Sequence, residues 1–134
     1  MDILKYFKDV NAQKQINRLV KKYKNKKIVI YGAGEYFNIL NENYDLSKLN
    51  IVGIADRKFG LTKDANKTKY LPLAPEELKE FDFDIIMVAL YDDIAILDYL
   101  EYNLLIGTKN ENKKVISIIE PNLWYLIKLF ILEK

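Results

Sequence analysis

The chain has 134 residues, half of them hydrophobic and 30% charged, with a formal net charge of +2 and neither cysteine nor histidine. This length and composition predict a single globular domain with one core, and they exclude a disordered tail and a disulfide-stapled miniature protein. Zinc sites of the Cys/His type, thiol nucleophiles, Ser-His-Asp triads and imidazole acid-base chemistry are also excluded. Any catalysis must therefore use Asp, Glu, Lys, Tyr or a bound cofactor.

Residues 1–27 predict a helical leader before the domain formed by residues 28–134. Asp2 is a suitable N-cap, a break is expected between Asp9 and Ala12, and apolar residues recur at helical spacing: Ile3, Phe7, Ile16, Leu19, Val20 and Tyr23. The leader carries nine Lys/Arg against two Asp/Glu. Lysines at a helix exit suit the negative end of its dipole, and the alternative is a basic surface for a phosphate-bearing or membrane-surface partner.

Basic residues and aromatic residues do not alternate in this leader, so we expect no nucleic-acid partner. The N-terminus lacks the basic and long apolar segments of a secretory signal, and no apolar run approaches the ~20 residues needed to span a bilayer. The sequence therefore predicts a cytoplasmic protein without a transmembrane segment.

Strands and helices are predicted to alternate through the rest of the chain. Short apolar segments rich in β-branched residues predict five strands: 27–31, 50–55, 70–73, 83–90 and 114–119. Helices are expected at 35–42, at 76–79 after Pro75, from a cap at Asp92 or Asp93 through 105, and from Pro121 onward; the polar segment 60–69 is expected to be irregular. The order indicates an α/β fold: a Rossmann-like three-layer sandwich with a mainly parallel sheet of about five strands, plus N- and C-terminal helices.

A glycine turn follows the first predicted strand. Ligands of such sheets bind beyond the carboxyl ends of the strands, where the strand order reverses. Gly32 and Gly34 fill the first two positions of a Gly-x-Gly-x-x-Gly phosphate-binding turn, which lets the backbone approach a phosphate at a helix N-terminus. Phe37 occupies the third position. A bulky ring there is expected to push the helix away from the sheet or to fill a gap.

An acidic residue at the end of the second predicted strand completes this pattern. Asp56 lies 24 residues after Gly32, where a carboxylate accepts hydrogen bonds from ribose hydroxyls and repels a 2′-phosphate, which favours NAD over NADP. Arg57 is suited to stacking on adenine or pairing with phosphate. We predict the following nucleotide-binding residues: Gly32, Ala33, Gly34, Glu35, Tyr36, Asp56, Arg57, Ala89, Leu90 and Tyr91. The alternative is a turn kept for its geometry beside an empty pocket.

Two other groups resemble catalytic motifs. Tyr44 and Lys48 match the spacing of the Tyr-x-x-x-Lys pair of short-chain dehydrogenases, but they fall between the first helix and the second strand, which is the wrong context. Asp92 and Asp93 follow the fourth strand with Tyr91, where paired carboxylates suit Mg²⁺ or a base; helix capping is the simpler explanation. We predict no metal site and assign no catalytic residue.

The C-terminal segment is the most apolar part of the chain. Glu120 and Asn122 precede it at the expected ligand-binding edge, so contact with a ligand is one interpretation of these two residues. The helix that follows is apolar almost all round, and such a helix must be covered. Three alternatives stay open: burial against its own domain, a homo-oligomer interface, or association with a membrane surface.

Several segments resemble the Rossmann-like domains associated with nucleoside-diphosphate-sugar epimerases and dehydratases of bacterial polysaccharide synthesis. The same order of segments is similar to the C-terminal domain of sugar C-methyltransferases. The resemblance covers about residues 26–121 and lies in five segments: 28–35 (IVIYGAGE), 51–57 (IVGIADR), 71–78 (LPLAPEEL), 82–90 (DFDIIMVAL) and 115–121 (VISIIEP). It implies binding of NAD or a nucleotide sugar, although the catalytic region of those enzymes has no counterpart here.

The leading hypothesis is therefore a nucleotide-binding module or accessory subunit of sugar-nucleotide and surface-polysaccharide metabolism, with NAD as the expected cofactor. NADP or a nucleotide sugar are the alternative ligands. A second hypothesis is a small NAD-dependent epimerase, dehydratase or oxidoreductase in which Tyr91, Asp92 or Glu120 transfers a proton. A third is a non-catalytic assembly domain that forms a homo-oligomer through the C-terminal helix.

Overall fold

The computed structural model describes residues 2–60 and 69–132. Its sheet contains five strands in the order β3-β2-β1-β4-β5, and every neighbouring pair is parallel. The strands are β1 Ile28–Tyr31, β2 Ile51–Ala55, β3 Pro72–Leu73, β4 Ile85–Val88 and β5 Lys114–Ser117. The predicted Rossmann-like α/β sandwich is confirmed, and the central strands β1 and β4 are buried at every position, as their continuous apolar runs require.

Within the described residues, five α-helices accompany the sheet: α1 Ile3–Asp9, α2 Ala12–Lys22, α3 Glu35–Asn43, α4 Ile94–Tyr99 and α5 Leu123–Leu132. Two 3₁₀ helices, Arg57–Gly60 and Pro75–Lys79, and one π-helical turn, Leu100–Leu104, complete the described elements. The polar segment predicted to be irregular, 60–69, lies for most of its length outside the described residues.

The leader folds as two helices, with the break where it was predicted. Oδ1 of Asp2 accepts a hydrogen bond from the Lys5 amide at 3.0 Å and caps α1. Asn11 adopts a left-handed conformation with φ of 56° and separates α1 from α2. Lys21 and Lys22 lie in the last turn of α2, as expected for cations at the negative end of a helix dipole.

Two layers of helices cover the two faces of the sheet. On one face α1, α2 and α3 form a single core with the sheet, in which Phe7, Ile16 and Phe37 are fully buried. On the other face Leu78 of the second 3₁₀ helix and Leu100 of the π-helical turn pack against the strands. The leader therefore shares the hydrophobic core of the domain that it precedes.

The helix expected to run to residue 105 is interrupted. After α4 the chain widens into the π-helical turn, in which the Leu105 amide donates to the Leu100 carbonyl five residues earlier. The extra residue in this turn brings Leu100, Leu104 and Leu105 all into the core. The helix predicted to run through residue 105 is thus correct in its extent but wrong in its helix type after Tyr99.

Helix α5 stands out because none of its residues is buried. Tyr125 packs partly against the core formed with α1, and the remaining apolar side chains of α5 are exposed. No helix within residues 2–60 and 69–132 has the length and apolarity needed to cross a bilayer.

Candidate functional site

The strand order reverses between β1 and β4. From β1 the chain proceeds to β2 and β3 on one side, and then crosses to β4 and β5 on the other. Segments leaving the carboxyl ends of diverging neighbouring strands border a crevice, which is the usual ligand site of such sheets. The segments that begin at Gly32 after β1 and at Ala89 after β4 border this crevice.

Gly32 begins the turn in a conformation that a side chain would disturb. Its φ is +116°, and its amide donates to the Ala55 carbonyl at 2.8 Å. A Cβ atom at this position would lie 2.7 Å from the Ala89 carbonyl oxygen, which belongs to the backbone beyond β4. Glycine therefore allows the turn after β1 to pass close to the segment after β4.

Gly34 is open to solvent where Gly32 is enclosed. It is the N-cap residue of α3, its φ and ψ are −101° and −155°, and no side chain caps the helix. A Cβ at Gly34 would meet nothing within 4 Å. The amides of Gly34 and Glu35 have no hydrogen-bond partner among the described residues. This end of α3 thus presents backbone N–H groups and the positive end of the helix dipole to open space.

Asp56 lies beside the turn, as its spacing from Gly32 predicted, but its carboxylate contacts protein backbone. Oδ2 accepts a hydrogen bond from the Ala33 amide at 2.8 Å, and Oδ1 accepts one from the Lys58 amide at 3.1 Å. Each carboxylate oxygen can accept a further bond. Asp56 therefore fixes the glycine turn, and its carboxylate oxygens keep lone pairs that can accept a further hydrogen bond.

Lys58 is a part of the site that sequence reasoning missed. Its Nζ donates to the Ala33 carbonyl oxygen at 2.6 Å, so both backbone polar groups of Ala33 are bound by side chains of the segment after β2. The spacing Asp56-x-Lys58 was the available signal. Arg57, which was predicted to contact adenine or phosphate, is exposed at the start of the 3₁₀ helix.

The remaining predicted residues of the turn divide between surface and core. Glu35 is exposed in the first turn of α3, whereas Tyr36 is buried with its ring 4.9 Å from that of Phe7. Phe37 is fully buried, so the ring at the third glycine position fills a gap in the core. The Tyr36 side chain therefore belongs to the core, and only the backbone of this residue lies near the open end of α3.

Beyond β4, the three predicted residues differ in exposure. Ala89 is buried and its amide donates to the Tyr31 carbonyl at 2.8 Å, while the Leu90 side chain lies beside Gly32. Tyr91 is half-exposed, and its ring packs edge-on against Tyr6 of α1 with centroids 5.3 Å apart. Helix α1 thus contacts the segment that follows β4, which the sequence did not predict.

Burial raises the pKa of Tyr31, at the end of β1, to about 12. It also raises the pKa of Tyr6 and of Tyr36. The hydroxyls of these three tyrosines are therefore protonated at neutral pH, because burial disfavours the phenolate. None of the three is suited to act as a base.

The acidic residues near the crevice have structural contacts of their own. Asp93 is the N-cap residue of α4, but its side chain does not cap the helix; it accepts a hydrogen bond from the Ser117 hydroxyl of β5. The prediction that the carboxylate of Asp92 or Asp93 caps this helix is therefore wrong: Asp93 occupies the N-cap position without a capping bond, and the exposed Asp92 forms no cap either. No group of three or more potential metal ligands occurs among residues 2–60 and 69–132.

The two polar residues after β5, Glu120 and Asn122, form hydrogen bonds that involve backbone groups. Glu120 is exposed, and its amide and carbonyl both bond to the Gln15 side chain, at 2.9 and 2.8 Å. Oδ1 of Asn122 accepts from the Tyr125 amide at 2.7 Å and thereby caps α5. Tyr44 and Lys48 lie in the connection between α3 and β2, away from the glycine turn, as their position in the sequence suggested.

The geometry therefore brings Gly32, Ala33, Gly34, Asp56 and Ala89 together at the crevice. Comparisons of the chain with protein-family models, with curated proteins and with solved structures find no match.

Proposed function

We propose that the chain is a nucleotide-binding module for NAD or a nucleotide sugar, acting as an accessory subunit in sugar-nucleotide or surface-polysaccharide metabolism. Support for the ligand comes chiefly from the open N-terminus of α3 behind Gly34, at the point where the strand order reverses. A pyrophosphate would accept hydrogen bonds from the Gly34 and Glu35 amides. The metabolic context comes from the resemblance of the sequence segments.

The charges around the turn suit a nucleotide more than a free anion. Asp56 would accept from a ribose hydroxyl through its remaining lone pairs, while its negative charge repels a 2′-phosphate. The half-exposed Tyr91 lies in the segment after β4, two residues beyond Ala89, where it would be available to the second half of a dinucleotide or to the sugar. The expected order of affinity is therefore NAD above NADP.

A charge placed at Gly34 tests this proposal while leaving the fold intact. Gly34→Asp introduces a favoured N-cap residue into open space, so its stability should equal or exceed that of the parent. The same carboxylate would occupy the phosphate position and repel the ligand. We expect isothermal titration with NAD, NADP and UDP-glucose to give saturable binding to the parent, weakened about tenfold or more in Gly34→Asp.

Gly34→Asn is the matched control, since it adds the same volume and capping ability without the charge. It should lose much less affinity than Gly34→Asp. Absence of binding to the parent by all three nucleotides at about millimolar concentration, or equal binding by the parent and Gly34→Asp, would overturn the proposal.

Assembly between copies of the chain is the second candidate function, and the exposure of α5 is the observation that favours it. Two copies of α5 packed together would cover the apolar side chains that the domain leaves uncovered. Light scattering should then show a mass above that of one chain, reduced to one chain when residues 123–134 are deleted. An unchanged mass after deletion would remove α5 from this role.

A further inference from the structure

A groove of about 630 Å³ lies between α2 and β5, away from the glycine turn, and ends at the first turn of α5. We call it the basic groove because four cationic side chains line it: Lys14, Arg18, Lys22 and Lys114. Trp124 of α5 lines the same groove.

Three of these cations form a straight row. Lys14, Arg18 and Lys22 are four residues apart along α2, about 6 Å of helix rise between neighbours, so they lie on one side of the helix. All three are exposed, and neither they nor Lys114 has an ion pair with any described residue. Glu120 also lines the groove, so the four cations exceed the described carboxylates there by three. A row of cations that form no ion pairs is a surface suited to an anionic partner.

The two sides of the basic groove are tied together by specific contacts. The ammonium groups of Lys22 from α2 and Lys114 from β5 both lie 5.5 Å from the centre of the Tyr23 ring. Near the other end, the Gln15 side chain bonds to the Glu120 backbone. The cations are therefore carried on a fixed framework.

Helix α5 adds an uncovered apolar surface beside these cations. Eight of its large apolar side chains are exposed, five of them by more than half: Leu123 (70%), Trp124 (73%), Leu126 (49%), Ile127 (37%), Leu129 (36%), Phe130 (62%), Ile131 (64%) and Leu132 (81%). Only Lys128 interrupts the apolar sequence of the helix. Contact with water at so many apolar groups is unfavourable, so an apolar medium or partner is required to cover α5.

We propose that the basic groove and α5 together form a peripheral docking surface for a lipid bilayer that contains anionic headgroups. The cations pair with lipid phosphates and carboxylates, while α5 inserts its apolar side chains among the upper acyl chains. Trp124 lies where the two regions meet, and indole rings favour the boundary between headgroups and hydrocarbon.

An anionic bilayer accounts for both features of this surface, the unpaired cations and the exposed apolar helix. A second copy packed with its α5 against this α5 would cover the apolar side chains, but α5 contains no carboxylate that could pair with Lys14, Arg18 and Lys22. A single-stranded nucleic acid would pair with the cations but leave the apolar length of α5 in water. An anionic bilayer supplies negative charge and hydrocarbon within one thin layer.

Trp124 is the chain's single tryptophan and therefore an intrinsic probe of insertion. The full chain is mixed with vesicles of phosphatidylcholine alone or with about 30% phosphatidylserine. We expect the anionic vesicles to shift Trp124 emission to shorter wavelength and to sediment with the protein. Phosphatidylcholine vesicles should give a much weaker effect, and raising salt from about 0.1 M to about 0.5 M should weaken binding to the anionic vesicles.

Charge variants test the basic groove. Each cation near an anionic surface strengthens binding roughly fivefold, so Lys14→Gln/Arg18→Gln/Lys22→Gln should weaken vesicle binding about 100-fold. The matched control removes three exposed lysines outside the groove: Lys8→Gln/Lys48→Gln/Lys109→Gln. It lowers the net charge equally and should retain most of the binding.

Apolar variants test α5 without threatening the fold, because the altered side chains are exposed. Leu126→Ser/Ile131→Ser should weaken binding about tenfold or more, whereas the equally exposed pair Leu71→Ser/Ile106→Ser should not. Unchanged circular dichroism spectra establish that both double variants are folded, and the same measurement applies to the two charge variants.

Three results would overturn the proposal. The first is the absence of both sedimentation and an emission shift with anionic vesicles. The second is equal loss of binding in the groove variant and its charge control. The third is that the chain does not bind vesicles and another partner uses the same surface. That partner would be a second copy, in a dimer that dissociates in the α5 variant, or a single-stranded oligonucleotide whose binding is lost in the groove variant.

Discussion

The glycine turn and the basic groove differ in whether their charged side chains have bonding partners within the protein. At the turn, the amide of Ala33 is bound by Asp56 and its carbonyl by Lys58, so the charged residues are engaged within the protein. In the groove, Lys14, Arg18 and Lys22 point along one side of α2 without an ionic partner among the described residues.

This difference shows what each group of charges contributes. Charged side chains that bond to the backbone stabilise the fold, and removing them leaves part-buried groups unsatisfied. Exposed and unpaired cations contribute little to the free energy of unfolding, so removing them should mainly change the affinity for a partner. The predictions below separate the two regions by stability, in order of decreasing effect.

Gly32→Ala should lower the free energy of unfolding by roughly 3 kcal/mol, because the new Cβ would meet the Ala89 carbonyl and φ is +116°. Urea denaturation measures the change. Gly34→Ala is the matched control: its Cβ meets nothing within 4 Å, and the expected loss is below about 1 kcal/mol. Equal losses in the two variants would contradict the close approach of the two segments.

Asp56→Ala removes the acceptor of two backbone amides and should cost about 2 kcal/mol of stability. Asp92→Ala removes an exposed carboxylate that has no hydrogen bond among the described residues, and it should change stability by less than about 0.5 kcal/mol. Urea denaturation of the two variants compares the losses. If Asp56→Ala were as stable as the parent, the carboxylate would not fix the turn.

Tyr31 makes stability depend on alkaline pH. Burial raises its folded-state pKa to about 12, above the value of about 10 in an unfolded chain. Its contribution is therefore complete below pH ~10 and is lost as the pH rises toward ~12, because the unfolded state releases the proton first. Between pH 8 and 11 the free energy of unfolding should therefore fall by about 1 kcal/mol less in Tyr31→Phe than in the parent.

Tyr102→Phe is the control for this pH series, since Tyr102 is 66% exposed. Urea denaturation at each pH should give the same alkaline loss in Tyr102→Phe as in the parent. A Tyr31→Phe curve parallel to that of the parent would show that the Tyr31 hydroxyl is solvated.

The same substitution compares the two regions most directly. Lys58→Gln removes a hydrogen bond to the Ala33 carbonyl and should cost about 1 kcal/mol. Lys14→Gln removes an unpaired cation from the groove and should leave thermal stability within about 0.3 kcal/mol of the parent. A larger loss in Lys14→Gln than in Lys58→Gln would reverse the assignment of the two regions.

Much of the fold could be predicted because the signals were local. Continuous apolar runs predicted the buried strands β1 and β4, and Asp2 marked the start of α1. The π-helical turn after α4 could not be predicted, since both helix types bury Leu100 and Leu104. Spacing alone does not distinguish their hydrogen-bond patterns.

The candidate site was predicted in position but not in its contacts. The spacing from Gly32 placed Asp56 beside the turn, yet spacing does not tell whether a carboxylate faces a ribose or the Ala33 amide. Lys58 was missed because its role depends on a side chain reaching across the turn. The basic groove escaped prediction because Lys114 joins the cations of α2 only through the sheet topology.

Backbone amide resonances provide the most direct test of the nucleotide site. In a heteronuclear correlation spectrum of the uniformly ¹⁵N-labelled chain, NAD should shift the Gly34 and Glu35 amides most, because these groups have no hydrogen-bond partner among the described residues. The Ala33 amide, bonded to Asp56, should shift less, and the amides of Lys14 and Arg18 should not move. Unchanged Gly34 and Glu35 resonances at saturating NAD and UDP-glucose, or shifts confined to the groove, would contradict the proposed function.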